Sequence, residues 1–212
     1  MNRLPIQRAY HKILRTLSSN RPNFIPKAQT LDYAEILRKV DGKSYIFITG
    51  PQRTGTTFAA KIIAEDLEYD HIDEQEFGTY HLERLSKLIQ SRSRCVIQAP
   101  ALSHKAHLFH AFDDAAVIWM KRNSRDTLSS EESKNWRNQA HSRETRTYHD
   151  SFNISRNASA DSYWMKNDIW DRHQSRLHRC NYNLDYESLR IHPKFIHPGN
   201  RHWSGLKATK ND

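Results

Sequence analysis

The fold is decided by residues 45–67, which read YIFITGPQRTGTTFAAKIIAEDL. The β-prone run YIFIT predicts a buried strand, GPQRTG predicts a loop, and a helix is predicted from Thr56 to about Leu67. In such a unit the backbone N–H groups of the loop and the positive end of the helix dipole converge on one point. The stretch therefore predicts a site for an anion such as phosphate.

Short β-rich runs alternate with helical stretches along the chain that follows. Three further strands are predicted from YDHID (69–73), CVIQA (95–99) and AVIWMK (116–121), and NYNLDYESL (181–189) predicts a last strand that leads into a short helix. Apolar strands joined by crossover helices are typical of a parallel sheet covered on both faces. We therefore expect a three-layer α/β fold with a central, mainly parallel sheet flanked by helices.

The length of 212 residues predicts a single domain, 1–212. Residues 1–44 are predicted to form a helical N-terminal extension, with Thr30 as the N-cap of its second helix. Residues 131–162 are polar and lack apolar periodicity, which predicts a mobile lid or insertion. Core packing is predicted for Trp119, Trp164 and Trp170.

The charge balance favours anionic partners. Lys and Arg number 33 against 24 Asp and Glu, for a net charge of +9. The basic residues are dispersed and no nucleic-acid-binding motif is visible, so a nucleic-acid partner is not favoured. Two cysteines exclude a disulfide framework. The apolar runs are far shorter than the roughly 20 residues of a membrane span, and no secretory signal is visible, so we expect a soluble, cytoplasmic protein.

The loop has the form Gly50-x4-Gly55 of a nucleoside-triphosphate P-loop, with one important difference. Thr56 stands where that motif has its lysine, and the cation of the loop is Arg53 instead. A kinase that uses Mg-ATP is therefore one alternative. A second alternative is a non-catalytic, basic anion-binding protein on the same fold.

The loop resembles that of the PAPS-dependent sulfotransferase family. PAPS is 3′-phosphoadenosine 5′-phosphosulfate, the sulfonate donor, and GPQRTGTT is similar to the donor-binding loop of the heparan N-sulfotransferase branch. The resemblance implies a P-loop fold. It also implies that the 5′-phosphate of PAPS is bound by Gln52, Arg53, Thr54, Gly55, Thr56, Thr57 and Phe58.

A second segment, AVIWMKRNSRDTLSSEES, resembles the 3′-phosphate motif of the same family. Arg122 follows a predicted strand and Ser130 lies eight residues later, so the resemblance implies that both bind the 3′-phosphate. The strand VIQAPAL departs from the family, because Gln98 stands in place of a lysine and Pro100 in place of the histidine of cytosolic members. LDYESL (184–189) resembles a family stretch that serves packing and helix capping.

The resemblance implies in-line transfer of a sulfonate group to a hydroxyl or amine, with PAP (3′-phosphoadenosine 5′-phosphate) leaving and without a metal. Arg53 is expected to act as a fixed positive charge beside the leaving oxygen. Candidate bases for the acceptor proton are Glu76 and Glu74, after the second strand, and His104, after the third. The alternative for the glutamates is a favourable charge at a helix N-terminus, and for His104 a solvated helix face. We expect the acceptor to be a small molecule or a glycan, and an acidic glycan would suit the positive charge.

Overall fold

A computed structural model describes residues 28–132, 158–174 and 180–194. Its strands are β1 (Gln29–Leu31), β2 (Tyr45–Thr49), β3 (Asp70–Ile72), β4 (Cys95–Gln98), β5 (Ala115–Lys121) and β6 (Asn181–Asp185). They form one sheet in the order β1-β6-β5-β2-β4-β3, and every neighbouring pair is parallel. The expected parallel sheet is confirmed.

Helices cover both faces of this sheet. They are α1 (Tyr33–Val40), α2 (Thr56–Leu67), α3 (Leu82–Gln90), α4 (Ser124–Glu132), α5 (Ala158–His173) and α6 (Tyr186–Leu189), with a kinked 3₁₀ segment at Pro100–Ala111. Core residues of α1, α2 and α6 cluster on one face, and those of α3, the 3₁₀ segment and α5 on the other. The chain therefore has the expected three-layer α/β fold. None of the helices described is long and apolar enough to cross a membrane.

Alternation along the central strands divides the core between the two faces. In β2, Ile46 and Ile48 belong to the cluster under α2, whereas Phe47 belongs to the opposite cluster. Phe47 stacks on Phe109 of the 3₁₀ segment with a centroid distance of 4.3 Å. Because both faces are apolar, β2 is buried over almost its whole length, as a central parallel strand must be.

The beginning of the described chain differs from the expectation. Residues 29–31 form edge strand β1 beside β6, not part of a helical extension. Thr30 lies in this strand, and the N-cap of α1 is Asp32, whose Oδ1 accepts a hydrogen bond of 2.8 Å from the Glu35 backbone N–H. A three-residue strand carries too little periodicity to be recognised, and its partner lies about 150 residues away. Residues 1–27 lie outside the described chain.

Most of the expected lid or insertion, residues 133–157, lies outside the described chain. Residues 158–162 form the first turns of α5.

The predicted core tryptophans have mixed outcomes. Trp119 and Trp170 are buried and stack at 4.8 Å, as expected. The core prediction for Trp164 is wrong, because its side chain is 59% exposed. With 3.6 residues per turn, Trp164 lies about 120° around α5 from Trp170 and so falls off the buried face.

Candidate functional site

The order of strands creates a crevice at the carboxyl ends of β2 and β5. After β2 the chain fills one side of the sheet with β3 and β4, then crosses to the other side for β5 and β6. Ligands of open α/β sheets bind where the strand order reverses in this way. The loop at 50–55 follows β2, and Arg122 follows β5 directly. Both segments therefore begin at this crevice.

Two glycines allow the loop to pass close to its neighbours. Gly50 has φ +139°, and a Cβ there would lie 2.9 Å from the Met120 carbonyl oxygen. Gly55 has φ +93°, and a Cβ there would lie 2.5 Å from the ring of Tyr186. Arg53, between them, also has a positive φ of 65°. The loop is thus a tight turn with three positive φ angles. A residue with a side chain at either glycine position would be strained and would collide with a neighbour.

Helix α2 starts from this loop with its amide end toward the crevice. Gly55 is the N-cap, and no side chain caps the first turn. Thr56 is buried and Thr57 is half-buried at the first two helical positions. The first N–H groups of a helix have no partner within the helix and carry the positive end of its dipole. The loop and the first turn together have the chemistry of an anion cradle.

The structure brings together Arg53, Arg122 and Ser130, which come from three different segments. Arg53 Nε donates to Ser130 Oγ in α4 at 3.1 Å. Arg122 Nη1 donates to the Arg53 carbonyl oxygen at 3.0 Å. The loop after β2, the end of β5 and helix α4 therefore meet at one place, where the Arg53 guanidinium contacts a hydroxyl and the Arg122 guanidinium contacts the backbone of Arg53.

Aromatic residues hold Arg122 in this position. The Arg122 guanidinium carbon lies 4.4 Å from the centroid of the Tyr186 ring, a cation–π contact. The Tyr163 hydroxyl of α5 donates to the Arg122 carbonyl oxygen at 3.2 Å. Tyr186 is the same residue that packs against Gly55. One ring thus supports both the loop and the second arginine.

The charges at this place favour an anion. Burial, and then the nearby charge of Arg122, lower the pKa of Arg53, while the buried carboxylate of Glu131 acts in the opposite direction. Guanidinium groups are permanently charged in proteins, so two positive charges lie at this place. The two guanidinium groups outweigh the one carboxylate of Glu131, so the net charge at this place is positive and attracts an anion.

The three candidate bases occupy different surroundings. Glu74 Oε2 accepts a hydrogen bond of 3.4 Å from the Ala101 N–H, just beyond the end of β4. Glu76 accepts one of 2.8 Å from the Asp73 N–H and lies 3.8 Å from Arg92. Arg92 also lies 3.4 Å from Asp70, the first residue of β3, so the Glu76 carboxylate is engaged by its own turn and by an arginine.

His104 does not lie on the solvated helix face that was its alternative. It is 7% exposed within the 3₁₀ segment that follows β4. His104 is thus close to the carboxyl end of β4 in the sequence, and Glu74 is close to it through its contact with Ala101. Strand β4 is the neighbour of β2 in the sheet. The hydrogen bond of Glu74 comes from that same 3₁₀ segment.

The remaining predicted donor-binding residues divide into loop and core. Gln52 accepts a hydrogen bond from Lys166, and the Thr54 hydroxyl donates to the Pro51 carbonyl oxygen at 2.7 Å. The Phe58 side chain is 1% exposed and packs in the core beneath α2. Its ring is thus unavailable to a ligand, and only its backbone belongs to the first turn.

Sequence reasoning missed three residues that support the site, namely Tyr163, Lys166 and Tyr186. Tyr186 lies in the LDYESL stretch, where only packing and helix capping were expected. Lys166 carries no motif, and its contact with Gln52 joins residues 114 positions apart. A contact of that kind leaves no local pattern in a single sequence.

Among the residues that the structure describes, no group of three or more His, Cys, Asp or Glu could hold a metal ion. Comparison of the chain with family models, with curated proteins and with solved structures finds no match in any of the three.

Proposed function

We propose that the protein is a PAPS-dependent sulfotransferase that transfers a sulfonate group to a hydroxyl or amine and releases PAP. The observation that carries the proposal is the linked arginine pair. Arg122 Nη1 lies 3.0 Å from the Arg53 carbonyl oxygen, and Arg53 Nε lies 3.1 Å from Ser130 Oγ. PAPS has phosphate groups on both sides of its ribose, so it suits two cationic groups at adjacent strand ends.

The proposed roles follow from the chemistry of each segment. Residues 52–57 hold the 5′-phosphate through loop N–H groups and the start of α2. Arg122 and Ser130 hold the 3′-phosphate, since a guanidinium pairs well with a phosphate and a hydroxyl donates to it. The resemblance of both segments to the sulfotransferase motifs supports the same assignment.

The transfer step is an in-line attack of the acceptor oxygen or nitrogen on sulfur. The bond from sulfur to the bridging oxygen breaks, and negative charge grows on that oxygen as PAP leaves. Arg53 stabilises this charge, because its guanidinium is permanently positive and is held by Ser130. The acceptor proton passes to a base, for which Glu74 is favoured by its contact at the end of β4. His104 is the second candidate.

Ligand binding measured by thermal shift tests the proposal. The wild-type protein is titrated with PAP, with ATP, and with ATP plus Mg²⁺. PAP should stabilise the protein without a metal, by about 2.7 kcal/mol at a concentration of 100 Kd. Arg122→Ala should abolish most of this shift, whereas Arg38→Ala, which removes an exposed arginine of α1, should leave it unchanged.

The other outcomes distinguish the alternatives. Stabilisation by ATP that requires Mg²⁺ and exceeds that by PAP would favour a kinase. PAP binding without transfer to any of a panel of hydroxyl and amine acceptors would favour a non-catalytic anion-binding protein, in line with Gln98 in place of the family lysine. No stabilisation by PAP would refute the proposal.

A further inference from the structure

Helix α5 contributes one face to the candidate site. Tyr163, Lys166, Asn167 and Trp170 are spaced three or four residues apart, so they share this face. Tyr163 donates to the Arg122 carbonyl oxygen, and Asn167 Oδ1 accepts a hydrogen bond of 3.3 Å from Trp119 Nε1 of β5. Trp170 stacks on Trp119. The face therefore packs along β5 toward its carboxyl end, where the loop lies.

Lys166 is the unusual member of this face. Its side chain is 0% exposed, and its Nζ donates a hydrogen bond to Oε1 of Gln52. Gln52 directly precedes Arg53, whose carbonyl oxygen is the acceptor for Arg122. A lysine is among the residues least often found fully buried. Here the buried Lys166 Nζ contacts the loop at Gln52, the residue before Arg53.

This buried contact has a consequence for the loop. A hydrogen bond in the protein interior is electrostatically stronger than one in water, so the bond from Lys166 Nζ restrains the Gln52 side chain firmly. The restraint favours one fixed conformation of the loop next to Arg53.

We propose that Lys166 is a positioning residue of the anion site, which acts through Gln52 to hold the loop in its ligand-binding conformation. The ligand class is the phosphate end of a nucleotide. The inference rests on the proposed function for the identity of that nucleotide, PAP or PAPS. It assigns to α5, a helix without any phosphate-binding motif, a part in donor binding.

Four variants of the full chain test the proposal. Lys166→Met keeps the length of the side chain and removes its charge, and its apolar end suits a buried position. Gln52→Leu removes the acceptor of the same hydrogen bond. The double variant completes a cycle that measures their coupling. Lys87→Met, on exposed helix α3, makes the same chemical change away from the site.

Three measurements are made on each variant: the Kd for PAP, kcat and KM for sulfonate transfer, and amide hydrogen exchange. Lys166→Met and Gln52→Leu should each weaken PAP binding by about 10- to 100-fold, the range for losing a hydrogen bond to a charged group. The double variant should be no weaker than the weaker single variant. Exchange should accelerate at residues 53–57 and stay unchanged in α3. Lys87→Met should match the wild type in all three.

The inference is overturned if Lys166→Met binds PAP as tightly as the wild type, or if the two single effects multiply in the double variant. It is also overturned if exchange rises throughout the chain, since Lys166 would then serve overall stability only. If the wild type itself does not bind PAP, the proposed function fails. Faster exchange confined to residues 53–57 in Lys166→Met would still support a positioning role for Lys166, and unchanged exchange would refute it.

Discussion

Gly55 connects the loop after β2 to the aromatic ring that supports Arg122. Its φ of +93° makes it the left-handed N-cap of α2, and its missing side chain lets the Tyr186 ring lie against the backbone. The ring in turn lies under the Arg122 guanidinium at 4.4 Å. The absence of a side chain at Gly55 therefore allows the loop and Arg122 to pack against the same ring.

Gly55→Ala should destabilise the fold by clearly more than Gly42→Ala. Both positions have positive φ, which costs a residue with a side chain roughly 1–2 kcal/mol. At Gly42 a Cβ would meet nothing within 4 Å, whereas at Gly55 it would meet Tyr186 at 2.5 Å. Urea unfolding of the two variants measures the difference. Equal losses of unfolding free energy would show that the ring moves aside without cost.

The assignment of the base is tested by removing one carboxylate at a time. Glu74→Gln should lower the rate of sulfonate transfer by roughly 10²–10⁴-fold with PAP binding retained, because an amide cannot take the acceptor proton. Glu76→Gln should retain the rate, since Glu76 is engaged with Asp73 and Arg92. Full activity of Glu74→Gln would make His104 the favoured base. Loss of activity in Glu76→Gln would contradict the purely structural role that its contacts with Asp73 and Arg92 indicate.

Two turns at the amino edge of the sheet are joined by a single carboxylate. Asp114, in the turn before β5, accepts hydrogen bonds from Lys43 Nζ at 2.7 Å and from the Ser44 N–H at 3.0 Å in the turn before β2. These contacts link the two central strands at the edge opposite to the candidate site. The hydrogen bond from Lys43 is the main cause that lowers the pKa of Asp114, and burial acts against it.

The stability of Asp114→Asn should depend on pH in one direction. A lowered folded-state pKa contributes stability above the unfolded value of about 3.9, and this contribution is lost as the pH falls through the folded value. Asn tolerates the positive φ of 56° at this position, so the backbone is preserved. Urea unfolding should show a modest deficit of the variant at pH 7 that shrinks by pH 3. A deficit that is constant with pH would contradict the ion pair as its cause.

The elements themselves were predictable to different degrees. The sequence predicts β2, α2, β4 and β5 within one or two residues, because long apolar runs and the glycine loop mark them. It does not predict β1, which exists only through pairing with β6. The inner face of α5 is also hidden, because it mixes Lys166 and Asn167 with aromatic residues. Polar residues buried by distant partners remove the periodicity on which such predictions depend.

The net charge of +9 acts over the whole chain rather than at one site. Arg53, Arg122 and Lys166 account for a small part of the Lys and Arg residues, and they lie partly or fully buried. The rest of the surplus raises the potential around the protein and attracts polyanions. If the acceptor is an acidic glycan, this potential would attract it to the surface. The proposed nucleotide would instead bind at the candidate site.

Ionic strength should separate these two kinds of binding. A sulfated glycan should bind more weakly as NaCl is raised from about 0.05 M to 0.5 M, since the Debye length falls below about 10 Å and surface charges are screened. PAP binding should change less because its partners are partly buried. Fluorescence titration with a neutral glycan of equal length provides the control. Binding of both glycans with equal affinity would exclude the charge as the basis of acceptor selection.

The amino-acid sequence suffices to predict the α/β class, the central strands, the glycine loop and the two arginines near it. Each of these depends on interactions between residues close in the chain: apolar alternation, turn geometry and helix propensity. The meeting of Arg53 with Arg122, the support from Tyr186 and the burial of Lys166 against Gln52 depend on tertiary structure. They join segments separated by tens to more than a hundred residues. Only packing of α4, α5 and α6 against one end of the sheet brings those segments within hydrogen-bonding distance.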